Sequence, residues 1–489
     1  MIQPSSAQPA GSGPLLKGKA TAFAVYVCGA GLTYLSQLVL ARVIGMAAYG
    51  TYAYVLGIVT LLAYLAALGF DVSLLRFLPA YQSQQQWRLM RGVVVYAERS
   101  AAWAGGLIAA VGIAAIVAFG HVARDGTILT FAAGFGLIPV YALLWIRCAR
   151  VRAFGGVASA LIPDRVIRDG FVLAAVLLAA LLPTGAFGAP TAMAITLLGG
   201  IAGLVTVTRA VRNQRGPQDA PARLPMDSYE PSSGEIGLWR RSIFPLVAIA
   251  LAEVTVNRAG SLALTWAGSP AEAGVYALAF NLSAIVILPR VAVNTQFAPM
   301  VADRFARGDT EGVQALLNHA SLWALLAAAS MAAALWLVAA PLLPLVFGPA
   351  VVGALPVLGI LLLGQIIASG AGSQIFLLTM SGQERLAAIV LIGFALADVA
   401  ASVLLVPPFG LPGAAVATSA CLVGMNIAMA LLVWRRLGVK PGSFGMLAKP
   451  WTMRALSAAA RNLLFRAVRW MDRRKPGHVD APAKPSLMR

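Results

Sequence analysis

Residues 46–81 read MAAYGTYAYVLGIVTLLAYLAALGFDVSLLRFLPAY. The first part is apolar almost without a break. Beyond Gly69-Phe70 come Asp71, Arg76 and Pro79, set among further hydrophobic residues. An unbroken run of roughly 20 apolar residues is long enough to cross a ~30 Å hydrocarbon core as a helix. The same kind of run recurs from end to end of the 489 residues, 60% of which are hydrophobic and only 11% charged, against about 25% charged in an average soluble domain. Lipid offers backbone groups no hydrogen bonds, so a spanning segment is a helix or belongs to a closed barrel. Barrel strands alternate apolar and polar residues, and stretches such as FVLAAVLLAALL (171–182) do not. The sequence therefore predicts an all-α integral membrane protein.

Twelve spans are expected, over about 18–43, 48–70, 92–119, 127–149, 164–183, 189–210, 239–267, 271–294, 314–340, 351–379, 385–406 and 411–434. Gly370 and Gly372 interrupt the tenth. Of the 37 Lys and Arg, 32 fall on one side of this layout. Arg42 and Arg124 fall on the other, and Arg99, Arg258 and Arg290 lie within spans. Basic residues accumulate in cytoplasmic loops, so both termini are expected in the cytoplasm of a multi-pass inner-membrane protein. A net charge of +19 has the same origin and does not point to nucleic acid. On this layout Asp71 and Arg76 form a solvated helix end at the cytoplasmic interface. Cys28, Cys148 and Cys421 contain no CxxC pair, so neither a disulfide framework nor a zinc site is suggested. The long polar stretch before Lys17 does not resemble a cleavable signal.

The chain repeats itself. At an offset of 224, Gly50 falls on Gly274 and Tyr52 on Tyr276; at 222, Phe187, Gly188 and Pro190 fall on Phe409, Gly410 and Pro412. Each half then holds six spans. An even number makes the halves parallel repeats about an axis along the membrane normal, a plan common among transporters. The expected organisation is an N-terminal arm (1–16), a first six-helix lobe (17–210), a cytoplasmic linker (211–238), a second lobe (239–436) and a basic tail (437–489). Within the tail, residues 451–475 carry an apolar stripe with five arginines beside it, the pattern of an amphipathic helix on an anionic leaflet.

The segment GxYxxVLxIVTLLAYLAALGFDxSLLRFLP, its echo AGVYALAFN and the FGxPG pattern before the twelfth span carry a resemblance. Over roughly residues 15–436 the chain resembles the Wzx-type polysaccharide transporters of the multidrug/oligosaccharidyl-lipid/polysaccharide exporter superfamily. That resemblance implies two six-helix lobes in a V that open alternately to each side. It also implies transfer of a lipid-linked oligosaccharide to the periplasmic leaflet. The family has no short signature from which working residues could be carried over.

Ionisable residues within spans are functional candidates by default. Span 7 offers Glu253, Asn257 and Arg258 in AEVTVNRAGSLAL. Glu253 and Asn257 share a face, whereas Arg258 lies about 140° from Glu253, so the two charges need partners elsewhere. A guanidinium on the inter-lobe face suits a pyrophosphate; pairing with an acid on another span is the competing reading. Arg42 could belong to a cationic rim and Arg290 to the same phosphate site, or both could snorkel. Asp398, midway along span 11, and Glu253 are the ion-coupling candidates. Glu98 and Arg99 are expected to pair near the interface. Gln37, Asn281, Asn294, Gln365 and Gln374 could bind sugar hydroxyls or join helix to helix. Pro245, Gly29 and Gly31 are possible bending points.

No GxGxxG, Walker or HExxH pattern occurs, so no enzyme, cofactor or metal is expected. The favoured expectation is a flippase for an undecaprenyl-pyrophosphate-linked oligosaccharide in cell-surface polysaccharide synthesis, partnered by a polymerase or export complex. The alternatives are a cation-coupled multidrug or metabolite antiporter, a major-facilitator carrier, and a lipid scramblase or scaffold. The antiporter would want membrane-embedded carboxylates in the first lobe, and spans 1, 2, 4 and 6 supply none.

Overall fold

The computed structural model describes residues 12–119, 125–181, 187–213, 233–291, 293, 309–348, 351, 353–372, 374–381, 383–440 and 442–443. Arg124, Asn294, most of the linker and the 451–475 segment lie outside them. The described residues are helical nearly throughout, and nine helices are long and apolar enough to cross a membrane.

In the first half, α1 (Ser12–Ile44), α2 (Met46–Ala67), α3 (Phe70–Ser83), α4 (Trp87–Phe119) and α5 (Asp125–Ala153) follow in order. Next come α6 (Val157–Leu161), a π-helical turn (Ile162–Ile167), α7 (Arg168–Ala180) and α8 (Ala189–Asn213). The second half runs through α9 (Ser233–Trp266), α10 (Pro270–Ala284), α11 (Thr310–Phe347), α12 (Ala354–Gly370), α13 (Gln374–Met380) and α14 (Glu384–Leu437). Helix α14 holds two spans, joined at Gly410, where φ 56 and ψ −132 interrupt the helix. The break between α12 and α13 falls at Gly372, φ +89, where the glycines were expected to interrupt the tenth span.

The corner at 68–71 differs from expectation. Leu68 and Gly69 both take left-handed backbone, φ 52 and 70, and the chain restarts as α3. A Cβ on Gly69 would lie 3.0 Å from a Val247 methyl and 3.3 Å from the Ile243 carbonyl of α9, so the turn needs glycine for its backbone and for its closeness. Asp71 is 8% exposed, not solvated; Arg76 alone matches the reading as a surface residue. Helices α1 and α9 run without interruption through Gly29, Gly31 and Pro245. Gly29 instead makes room for Arg165, whose Cβ would lie 2.7 Å from an added methyl.

The duplication is visible in contacts. A Cβ on Gly50 would fall 1.7 Å from the Pro270 carbonyl, and one on Gly274 would fall 2.3 Å from the Met46 carbonyl. The same two positions of each repeat thus meet reciprocally where α2 crosses α10, as expected about a twofold axis. Tyr52 bonds Thr196 at 3.1 Å in the first half, and Tyr276 donates to Thr418 at 3.0 Å in the second. All four side chains are buried, and each pair ties the second span of its half to the sixth. Helices α2, α5 and α8 form the heart of one lobe, and α9, α12 and α14 that of the other. Small residues let the backbones approach this closely in lipid, where apolar burial between helices gives little.

Candidate functional site

Two cavities flank α9. The first, about 430 Å³, lies within the first lobe and along its seam with α9 and α10. It reaches from Gln37, Tyr49 and Tyr52 down to Asp71, Arg152 and Arg165 on the side where basic residues concentrate. The π-helical turn builds much of its wall. Pro163 near its start has no N–H to give, and a widened turn of this kind is often found at functional sites. Around it Asp164 and Arg168 pair at 3.1 Å, Arg168 and Asp169 at 2.7 Å, and Asp164 and Arg165 at 3.4 Å. Thr33 of α1 donates to Asp169, and the Arg168 guanidinium lies 5.3 Å from the centre of the Tyr141 ring. Both acids are thereby held by arginine.

Arg258 enters this cavity from α9. Its stem passes over Gly57 of α2, where an added Cβ would lie 3.5 Å from the arginine Cδ. Its electrostatic neighbours are Tyr49, Tyr52 and Tyr141. Among the described residues it makes no salt bridge. Beside it, Asn281 of α10 donates to the Tyr49 hydroxyl at 3.2 Å, which donates to Gln37 of α1 at 3.1 Å. Those two amides, candidates for sugar, are here engaged in a bond chain that crosses from one half to the other.

The second cavity, about 550 Å³, lies in the second lobe and is lined by Glu253, Asn257, Arg290, Gln365, Gln374 and Asn426 among others. Arg290 reaches the Ala368 carbonyl at 3.4 Å. Asp398 lies behind the wall with no exposed surface. One of its oxygens accepts from Thr418 at 3.4 Å, and the other has no partner among the described residues.

The expected phosphate group of Arg258, Asn257, Arg42 and Arg290 is therefore not one cluster. Neighbouring positions on a helix point about 100° apart, so Arg258 and Asn257 face different cavities. Arg290 belongs with Asn257, while Arg42 is exposed in the last turn of α1 and lines neither. Glu98 pairs not with Arg99, which is exposed, but with Arg147 at 3.1 Å and Arg150 at 3.8 Å. Residues Asp164, Arg168 and Asp169 were not singled out by sequence. Their signal, the charged run PDRVIRDG at the head of span 5, reads equally well as an interfacial end. Among the described residues no group of His, Cys, Asp and Glu could hold a metal ion.

No protein-family model and no curated protein sequence matches the chain. Solved structures do. An inward-facing multidrug-resistance MATE transporter of the MOP superfamily superposes with TM-score 0.67 at 15% identity, covering 84% of this chain and 94% of that one. An outward-facing MATE structure gives 0.60 at 16%, covering 86% and 96%. A Pyrococcus furiosus MOP-superfamily transporter, described as having a binding pocket of reverse polarity that suggests a different function, gives 0.57 at 15%, covering 88% and 99%. The chain has this membrane-transporter fold, in two parallel six-helix repeats.

Proposed function

We propose that the protein is an alternating-access flippase. It carries a polyprenyl-pyrophosphate-linked oligosaccharide across the cytoplasmic membrane for cell-surface polysaccharide synthesis. The observation that carries this reading is Arg258: an arginine in mid-span, on the wall of a cavity at the seam of the two halves, with tyrosines around it and, among the described residues, no acid paired to it. An unpaired charge is expensive in a membrane and persists where it has a ligand. A guanidinium stays charged and its fork matches phosphate oxygens.

In this mechanism both termini are cytoplasmic. The α2–α10 contact at Gly50 and Gly274 closes the periplasmic side, and the headgroup enters from the basic side while the prenyl tail stays in lipid. Arg258 takes the pyrophosphate. The lobes then rock, parting α2 from α10, and the headgroup leaves outward. Glu253, facing the second cavity, or Asp398, one hydroxyl behind it, carries the coupling ion. A polymerase or export complex receives the product.

Arg258→Gln should lower transfer of labelled lipid-linked oligosaccharide in proteoliposomes at least tenfold at unchanged protein level. Undiminished transfer would reject the proposal.

A cation antiporter is the second reading, favoured by Asp164 and Asp169 in the first-lobe cavity. Their arginine partners count against it, because a cationic substrate must displace Arg168 to reach either acid. Uptake of a lipophilic cation by the same proteoliposomes, lost in Asp169→Asn and kept in Arg258→Gln, would establish it instead.

A further inference from the structure

We infer that the second-lobe cavity is the saccharide subsite of the transported lipid, receiving an uncharged glycan while the pyrophosphate lies across α9 on Arg258. This rests on the flippase reading and assigns the part of the substrate that reading leaves without a place.

Helix α9 is a partition. At one level along it Arg258 faces the first cavity, and Asn257 faces the second. A ligand that fills both must straddle the helix edge here, with two chemically different parts joined by a short bond. A glycosyl pyrophosphate has that form.

The two cavities differ in kind. The first carries four arginines, Arg152, Arg165, Arg168 and Arg258, against three aspartates, Asp71, Asp164 and Asp169. The second has one carboxylate, Glu253, and one guanidinium, Arg290, so it has no charge excess; its other polar groups are chiefly amides. An amide offers donors and acceptors together, which is what hydroxyl and acetamido groups require. Phe280 and Ile287 add apolar wall for the C–H faces of a ring. A volume of about 550 Å³ lies within the ~300–1,000 Å³ usual for small-molecule sites.

The amides are also unspent. Gln365 is only 5% exposed, lines the cavity and makes no hydrogen bond among the described residues. Gln374 uses its Nε2 on the Ala371 carbonyl at 2.6 Å and on that of Asn426 at 3.5 Å, and Asn426 uses its Nδ2 on the Leu422 carbonyl at 2.8 Å. Their carbonyl oxygens are left with no donor among the described residues. These free groups open on the cavity, where a ligand hydroxyl can replace water as their partner, and they converge on one space.

The test uses full-length protein in nanodiscs and three probes. These are undecaprenyl pyrophosphate, the lipid-linked oligosaccharide extracted from cells depleted of the protein, and the soluble oligosaccharide released from that lipid by mild acid. Gln365→Leu keeps the side-chain size, and Asn257→Ala trims a residue exposed on the cavity wall, so its folding is not at risk. Each should weaken the glycosylated lipid and the soluble oligosaccharide about 5–10-fold, the worth of one or two hydrogen bonds, and leave undecaprenyl pyrophosphate unchanged. Equal affinity of wild type and both variants for the two glycan probes would overturn the subsite. Undecaprenyl pyrophosphate binding that ignores Arg258→Gln would instead remove the phosphate reading, and Gln365-dependent binding of the soluble oligosaccharide would still uphold the subsite.

Discussion

At the scale of single residues, what matters is whether a buried charge is matched. Arg168 is 13% exposed in its side chain and bridges Asp164 and Asp169, at 18% and 10%; among the described residues Arg258 bridges no acid. The two should therefore respond oppositely to removal. Arg168→Leu leaves the largely buried Asp169 without its cation and Asp164 with Arg165 at 3.4 Å, a change that costs about 3–5 kcal/mol in dry interiors and somewhat less beside a water-accessible cavity. A Tm fall of several degrees in detergent is expected, and Asp169→Asn in the same chain should restore part of it, since residues in one network are not additive. Arg258→Gln should leave Tm unchanged or raise it, because no carboxylate loses a partner. A large Tm loss in Arg258→Gln would show the arginine to be structural. Sequence showed that Arg258 and Glu253 could not pair along their own helix. It did not show Arg168 to be internal, because hydropathy places a charge at a span's end without saying whether that end faces water, lipid or a cavity.

Among elements, the α2–α10 crossing brings the backbones of the two halves into direct contact at Gly50 and Gly274. Gly50 and Gly274 were legible as a repeat signal, from identity at one offset. That they face each other was not, since periodicity within each helix says nothing about the partner across the seam. With the Pro270 carbonyl 1.7 Å from any Cβ placed on Gly50, Gly50→Ala must push the helices apart. If this crossing closes the periplasmic side, the substitution favours the outward-open state. A cysteine at Ala53, which is buried and lines the first cavity, should then react faster with a membrane-impermeant thiol reagent added outside, in a chain cleared of Cys28, Cys148 and Cys421. Gly274→Ala should do the same, as twofold equivalence demands. Unaltered labelling in both would mean the crossing is not a gate. The break at Leu68 and Gly69 belongs to this scale too: an apolar run ending in charged residues reads as the end of a span, whereas the chain goes on as α3 beyond the left-handed turn.

Across the whole molecule, α9 holds the halves together. It begins the second repeat, yet Trp239 near its start is fully buried against the first, its ring tilted 41° to that of Tyr96 with centroids 5.6 Å apart, and donating to the Tyr81 hydroxyl at 2.9 Å. The crossing at Gly50 and this anchor lie toward opposite ends of the seam, so in the proposed alternating-access cycle the anchor serves as the pivot when the crossing opens. Trp239→Ala should cost about 3–5 kcal/mol from the cavity and lost burial, and Trp239→Phe about 1 kcal/mol from the hydrogen bond. Both are measurable by thermal unfolding. Spin labels on the two lobes should also report a broader distance distribution in Trp239→Ala; an unchanged distribution would exclude the anchor as a pivot.

By itself the sequence determined the helical class, the recurring apolar runs, the charge asymmetry and the duplication. All of these follow from the order of apolar and charged residues along the chain, which a bilayer reads locally. Only the tertiary structure decided which polar residues share a space. It separated Asn257 from Arg258, left Arg42 outside, joined Arg290 to Gln365, and drew Asp164 and Asp169 to Arg168. The direction in which a side chain points depends on how one helix is turned against another. That rotation is set by packing among residues far apart in sequence, and no local pattern records it.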